Sequence, residues 1–134
     1  MSDSRKRSLH IAGVTHGNTP IPAGARVGNM LFSSAIPGKD PATGQLPGDA
    51  AEQVRLAFLN MDTLLHNGGA TLGDVGRVVV HVKDESLRAL VNEEWVRRFP
   101  DPDDRPARHT VTHDLRGGML IQLEVTAVIQ SERT

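Results

Sequence analysis

In the stretch Arg105-Pro106-Ala107-Arg108-His109-Thr110-Val111 an arginine sits on a stiff piece of backbone. An acidic, turn-rich run (Asp101-Pro102-Asp103-Asp104) leads into it. Pro106 pushes the residue before it toward an extended conformation, and the β-branched residues Thr110, Val111 and Thr112 then favour a strand. A guanidinium held at a strand start is a two-pronged donor for a carboxylate or phosphate. On these residues alone the simpler reading is a surface arginine paired with a nearby aspartate. Strand alternation puts Arg108 and Thr110 on one face and His109 and Val111 on the other. On the last predicted strand Gln122 and Glu124 share a face, about 7 Å apart. A pocket of Arg108, Thr110 and one of Gln122 or Glu124 is expected to bind a small carboxylate. Arg105 is expected to be a loop residue paired with Asp103 or Asp104, or with a neighbouring subunit.

Other chemistry finds less support. His109 and His113 are spaced i, i+4, which on a helix suits a metal. Their intervening residues read as strand, where that spacing spans roughly 13 Å, too far for one ion. No metal site is expected. The chain has no cysteine, which excludes disulfides and thiolate chemistry. Ser33-Ser34 lie in a predicted strand rather than a nucleophile elbow. The glycine pairs lack the spacing of phosphate-binding loops, so no cofactor is expected. Formal net charge is −1, and the aromatics are three Phe, one Trp and no Tyr. That composition argues against nucleic acid, which wants positive charge and stacking platforms. No apolar run approaches membrane-spanning length. The reading is a soluble, cytoplasmic protein of one domain over residues 1–134, with residues 1–8 a mobile tail.

The elements that must position Arg108 follow from periodicity. Residues 9–14 read as a short strand, and residues 27–35 as a hairpin turning at Gly28-Asn29. Residues 36–48 read as loop. Asp49 is a helix N-cap with Glu52 in the reach-back position of a capping box. The helix carries Val54, Ala57, Phe58, Met61, Leu64 and Leu65 at helical spacing and stops at Asn67-Gly68-Gly69. Residues 75–82 are a strand whose valine run suggests burial on both faces. Asp84 caps a second helix with Leu87, Leu90, Val91, Trp95 and Phe99 on one stripe, ended by Pro100. Residues 119–129 alternate, Ile121, Leu123, Val125, Ala127 and Ile129 opposite Leu120, Gln122, Glu124, Thr126 and Val128. The order ββ-α-β-α-ββ predicts an α+β fold, one mixed sheet with two helices on one face. The other face is left bare, and Leu120 and Val128 on it favour an oligomer.

From Gly28 to Val128 the chain resembles the reactive-intermediate deaminase family (YjgF/RidA-like proteins, also labelled L-PSP endoribonucleases). The resemblance rests on Gly28-Asn29-Met30, residues 40–44 (Asp-Pro-Ala-Thr-Gly), Gln53, Asn60, Gly68-Gly69-Ala70, Asp74-Val75 and Val82-Lys83-Asp84. It continues through Val91-Asn92, Phe99, Pro106-Ala107-Arg108 and Leu123-Glu124-Val125-Thr126-Ala127. It implies a chorismate-mutase-like fold and a homotrimer with clefts between subunits. It also implies hydrolytic deamination of a small 2-imino or enamino carboxylic acid to a keto acid and ammonia. Arg108 matches the residue that grips the substrate carboxylate. Glu124 matches the next glutamate along from the family's proton-handling position. Glu124, catalytic beside Arg108, or His113 is the expected helper to an ordered water, with Thr110, Gln122, Ala35, Ile21 and Asn92 as further binding positions. The chain departs from the pattern at several of these. Ile21 stands at the family's tyrosine, Thr110 at its cysteine, Gln122 at its proton-handling glutamate, and Ser34-Ala35-Ile36 at its Ser-Gly-Gln. A carboxylate-binding trimer without hydrolysis, a metabolite sensor, is the alternative; RNA cleavage is a third, disfavoured by composition.

Overall fold

The computed structural model describes residues 6–130. Its strands are β1 (Ser8–Leu9), β2 (Gly24–Val27), β3 (Met30–Ser33), β4 (Ile36–Pro37), β5 (Val75–Val82), β6 (Ala107–Thr112) and β7 (Ile121–Val128). Its helices are α1 (Ala50–Asn67) and α2 (Arg88–Arg98). The strands form one mixed sheet in the order β1-β2-β3-β7-β5-β6, with β4 also on β7. Only β5 and β6 are parallel; α2 makes the crossover between them. The α+β arrangement expected from the pattern is therefore the arrangement found.

The helices cover one face. On β7, Ile121, Leu123, Val125 and Ala127 are buried, while Gln122, Glu124, Thr126 and Val128 alternate on the other side. Phe58, Met61, Leu64 and Leu65 of α1 and Val91 and Trp95 of α2 complete that core. Asp49 caps α1 by accepting from the Glu52 N–H at 3.0 Å. The reach-back half of the expected capping box is not made, because the Glu52 carboxylate is taken by Arg55. The hairpin turns on Gly28, whose φ of 60° no neighbouring residue shares. That is the positive-φ first position of a two-residue turn.

Several boundaries differ from the expectation. β1 starts at Ser8, and the Arg7 carbonyl accepts from Arg26 N–H at 2.8 Å, so the paired chain begins inside the segment read as a tail. The rest of the expected tail, residues 1–5, lies outside the described residues. β2 reaches back to Gly24, and β4 emerges from the segment read wholly as loop. Gly38 lets β4 pass close to α1, since a Cβ there would meet the Gln53 carbonyl at 2.2 Å. Gln53 is buried in α1 and staples the surrounding loops. Its amide donates to the carbonyls of Pro47 and Gly118, at 2.8 and 3.0 Å, and accepts from Leu120 N–H at 3.0 Å. Leu120 therefore packs against the core edge instead of the bare face.

The valine run of β5 is not buried on both sides. Val78, Val80 and Val82 face the helices, whereas Arg77 is exposed and Val79 only half-buried. The bare face also presents Val27, Phe32 and Val128, 56%, 43% and 36% exposed. Among the described residues, no helix is long and apolar enough to cross a membrane.

Candidate functional site

Arg108 stands on β6, the edge strand, and pairs in register with Val78 of β5. Thr110 and Thr112 pair with Val80 and Val82. Because those valines face the helices, this polar row lies on the helix-covered side, at the seam between β6 and α2. Helical spacing brings the matching side chains: Arg88, Asn92 and Trp95 are i, i+4 and i+7 on α2, one stripe of the helix.

The guanidinium is held from three sides. Arg108 Nε donates to Thr110 Oγ1 at 3.1 Å, and an Nη donates to Asn92 Oδ1 at 2.7 Å. Its centre lies 5.1 Å from the centroid of the Trp95 ring, a cation–π distance. Trp95 is buried and pinned by Phe99, whose ring centroid is 4.8 Å away. Both bonded acceptors are uncharged. Among the described residues, no carboxylate lies within ion-pair distance of Arg108. The surface pair with an aspartate, the simpler reading of the sequence, is not formed. Burial and then the neighbouring Arg88 charge hold the Arg108 pKa below its ordinary value. The charge of a bound anion would offset both effects.

Arg105 does not pair with Asp103 or Asp104. Its guanidinium donates to the carbonyls of Phe99 and Pro100, at 2.8 and 3.4 Å, and so fastens the end of α2 to the loop entering β6.

The expected pocket of Arg108, Thr110 and Gln122 or Glu124 is not assembled within the subunit. Gln122 and Glu124 pair with His81 and Val79, on the bare face. The sheet separates them from Arg108. Parity along each strand was readable in the sequence; which parity of β6 matches which parity of β7 depends on the register each keeps with β5. Gln122 donates to the Met119 sulfur at 3.2 Å. Glu124 lies 3.4 Å from His81 Nε2. The His81 ring meets the His113 ring edge-on at 5.7 Å, and its buried Nδ1 has no partner among the described residues. Ile21 is 47% exposed. Ala35 is half-buried, and its carbonyl lies 2.8 Å from His16 Nε2. Thus Arg108, Thr110 and Asn92 come together, while Ile21, Ala35, Gln122 and Glu124 lie elsewhere on the subunit. Sequence reasoning passed over Arg88 and His81 and took Trp95 as core alone. The i, i+4, i+7 spacing of Arg88, Asn92 and Trp95 was the available signal for the first and third.

A sequence profile of the endoribonuclease L-PSP family matches residues 19–129. A RutC family protein of Pyrococcus abyssi is 34% identical over 110 residues, 81% of this chain and 85% of that protein. The 2-iminobutanoate/2-iminopropanoate deaminase of Escherichia coli is 32% identical over 111 residues, 81% and 87% of the two chains. Among solved structures, the E. coli YjgF gene product superposes with a TM-score of 0.82 at 28% identity, covering 93% of this chain and all (100%) of that one. E. coli TdcF with bound serine gives 0.83 at 25% identity, over 93% and 100%. With its order of elements, bare sheet face and Pro106-Ala107-Arg108 strand start, this chain belongs to the YjgF/RidA-like, endoribonuclease L-PSP family.

Proposed function

We propose that this protein hydrolyses small 2-imino or enamino carboxylic acids, with Arg108 gripping the carboxylate. The observation that carries the proposal is the guanidinium itself. It is fixed by Thr110, Asn92 and Trp95 and bonded only to neutral oxygens, so its charge is available to a ligand. A relative at 32% identity is named as a deaminase of two such imino acids, and one at 25% was solved with serine, an amino carboxylic acid.

The chemistry consumes one water and releases one ammonia. Water oxygen adds to the C=N carbon and both of its protons pass in turn to the nitrogen; the C–N bond then breaks, ammonia leaves, and the oxygen stays as the carbonyl of the keto acid. Arg108 fixes the carbon next to the carboxylate, converting attack by a held water into a positioned event. Asn92 uses its Oδ1 on Arg108, which leaves its amide N–H groups to donate to the substrate. Thr110 fills the cysteine's place and turns its oxygen to Arg108.

In this reading the active unit is a homotrimer. Val27, Phe32 and Val128 supply apolar surface for packing the bare face against a neighbouring subunit, and that neighbour supplies the groups the sheet holds away from Arg108. Those groups are Ile21, Ala35, Gln122 and Glu124. Glu124, beside His81, is the carboxylate assigned to proton transfer, since Gln122 cannot titrate and Ile21 has no hydroxyl. The same two departures favour the competing reading, a carboxylate-binding trimer without hydrolysis. RNA is not proposed as a substrate.

Imines generated in situ by an amino-acid oxidase decide between them. The protein should accelerate ammonia release from at least one imine, and Arg108→Ala should abolish the acceleration while the variant stays folded. Imine decay at the buffer rate, with 2-oxo acids still raising the melting temperature, would instead establish the binder.

A further inference from the structure

Arg108 is not the only cation on this seam. Arg88, at the start of α2, reaches the carbonyl of Thr110 with an Nη at 3.4 Å. Thr110 thus has one arginine on its hydroxyl and another on its carbonyl. Two guanidiniums this close raise each other's energy, and the Arg88 charge is felt at Arg108. On the far side of Arg88 from Arg108 stands Glu85, which pairs with Arg88 and also accepts from the Thr112 hydroxyl at 2.7 Å. The pair is open to solvent, with Arg88 40% and Glu85 67% exposed. An exposed pair of this kind is weak and exchanges readily for a better partner. Counting Arg88, Arg108 and Glu85, the seam keeps one net positive charge even when Glu85 is ionised.

The geometry suits two anionic groups. Arg108, Thr110 and Thr112 step along one side of β6, neighbouring members about 7 Å apart. Arg88 crosses the row at Thr110, and Glu85 meets it at Thr112. A short diacid laid along the row would place one carboxylate at Arg108 and the other at Arg88, taking the place of Glu85. Glu85 is in that sense a resident stand-in for the second carboxylate. A 2-imino acid with a short apolar side chain would fill the Arg108 end and leave Arg88 with Glu85.

We propose that Arg88 is a second anion-binding residue of the site, and that the substrate class this chain takes best is the 2-imino dicarboxylic acids. The proposal rests on the assignment of Arg108 as the carboxylate clamp.

The test compares two imines made in situ, one by an aspartate oxidase and one by an amino-acid oxidase acting on 2-aminobutyrate. The wild-type ratio of kcat/KM should favour the dicarboxylate by about tenfold or more, the scale of one charge-assisted bond. Arg88→Met should collapse that ratio toward one, and Arg88→Lys, which keeps the charge, should restore part of it. Binding without turnover gives an independent readout. Succinate should bind the wild type more tightly than butyrate, and Arg88→Met should lose most of the difference. A wild-type ratio at or below one, or a ratio unmoved by Arg88→Met, overturns the proposal. Absence of acceleration on both imines counts against the deaminase reading alone if succinate still binds through Arg88. Failure of Arg108→Ala to weaken either ligand removes the clamp and this proposal with it.

Discussion

At the scale of single residues, the seam is organised around an arginine whose acceptors are neutral. Asn92 is the informative neighbour. Replacing it with aspartate keeps the shape and gives Arg108 an internal carboxylate. Asn92→Asp should therefore raise KM by about tenfold, on the scale of one charge-assisted hydrogen bond, with a smaller change in kcat. Steady-state kinetics on the best imine checks this, and an unchanged KM would show that the substrate carboxylate does not go to Arg108. Acid should act on Glu85. The Thr112 hydroxyl, and after it Arg88, hold its pKa below the ordinary carboxylate value. A depressed folded pKa means that its clasp is complete above the unfolded value, near 4.3, and is lost as pH falls through the depressed value. Carboxyl NMR of Glu85 should show the low pKa, and Thr112→Val should move it up. Arg108 and Thr110 were legible as neighbours on a strand, because the alternation is local. Arg88 was not, because its role depends on where α2 lies against β6.

At the scale of elements, the site requires α2 to be seated. Arg98 does much of this. Its side chain is 13% exposed and binds Asp62 of α1 at 2.7 Å and Glu94 at 3.0 Å. Its guanidinium also lies 5.2 Å from the Phe58 ring centroid. Burial alone would lower the Arg98 pKa, but Asp62 and Glu94 outweigh it and hold the charge firmly in place. Arg98→Ala should cost about 2–4 kcal/mol, because it strips a largely buried carboxylate, Glu94, of a partner. Urea unfolding should show the lowered midpoint, and substrate affinity should fall as Asn92 and Trp95 lose their support. Gln53→Leu should cost a similar amount, about 2–4 kcal/mol, since two carbonyls and one N–H lose their partner in the protein at once. The Asp49 cap, the Gly28 turn and the two helices were readable from the sequence because each is set by residues a few positions apart. β1 and β4 were not. Each is two residues long and exists only because a distant strand, β2 or β7, lies beside it. Asp84 caps the 3-10 turn Glu85–Leu87 that precedes α2 rather than α2 itself.

At the scale of the whole molecule, the sheet divides the proposed chemistry, with the clamp on one side and Glu124 on the other. An assembly that brings one subunit's bare face to another's seam would reunite them. Phe32→Glu combined with Val128→Glu should leave the subunit folded but keep it monomeric in sedimentation equilibrium, where the wild type should run at three chain masses. Deaminase activity should disappear with the trimer, and a fully active monomer would place all the chemistry at the Arg108 seam. The sequence by itself determined the order of the longer elements, the amphipathic faces, the Asp49 cap and the presence of a stiffly held arginine. These follow from periodicities and turn residues that act over a few positions. Only the tertiary structure decided that Arg108 faces the helices, that its bonded acceptors are uncharged, that Arg88 shares Thr110 with it, and that Glu124 belongs to the opposite face. The reason is register. A strand's parity is local, but which side of the sheet that parity occupies is fixed by pairing with a partner tens of residues away.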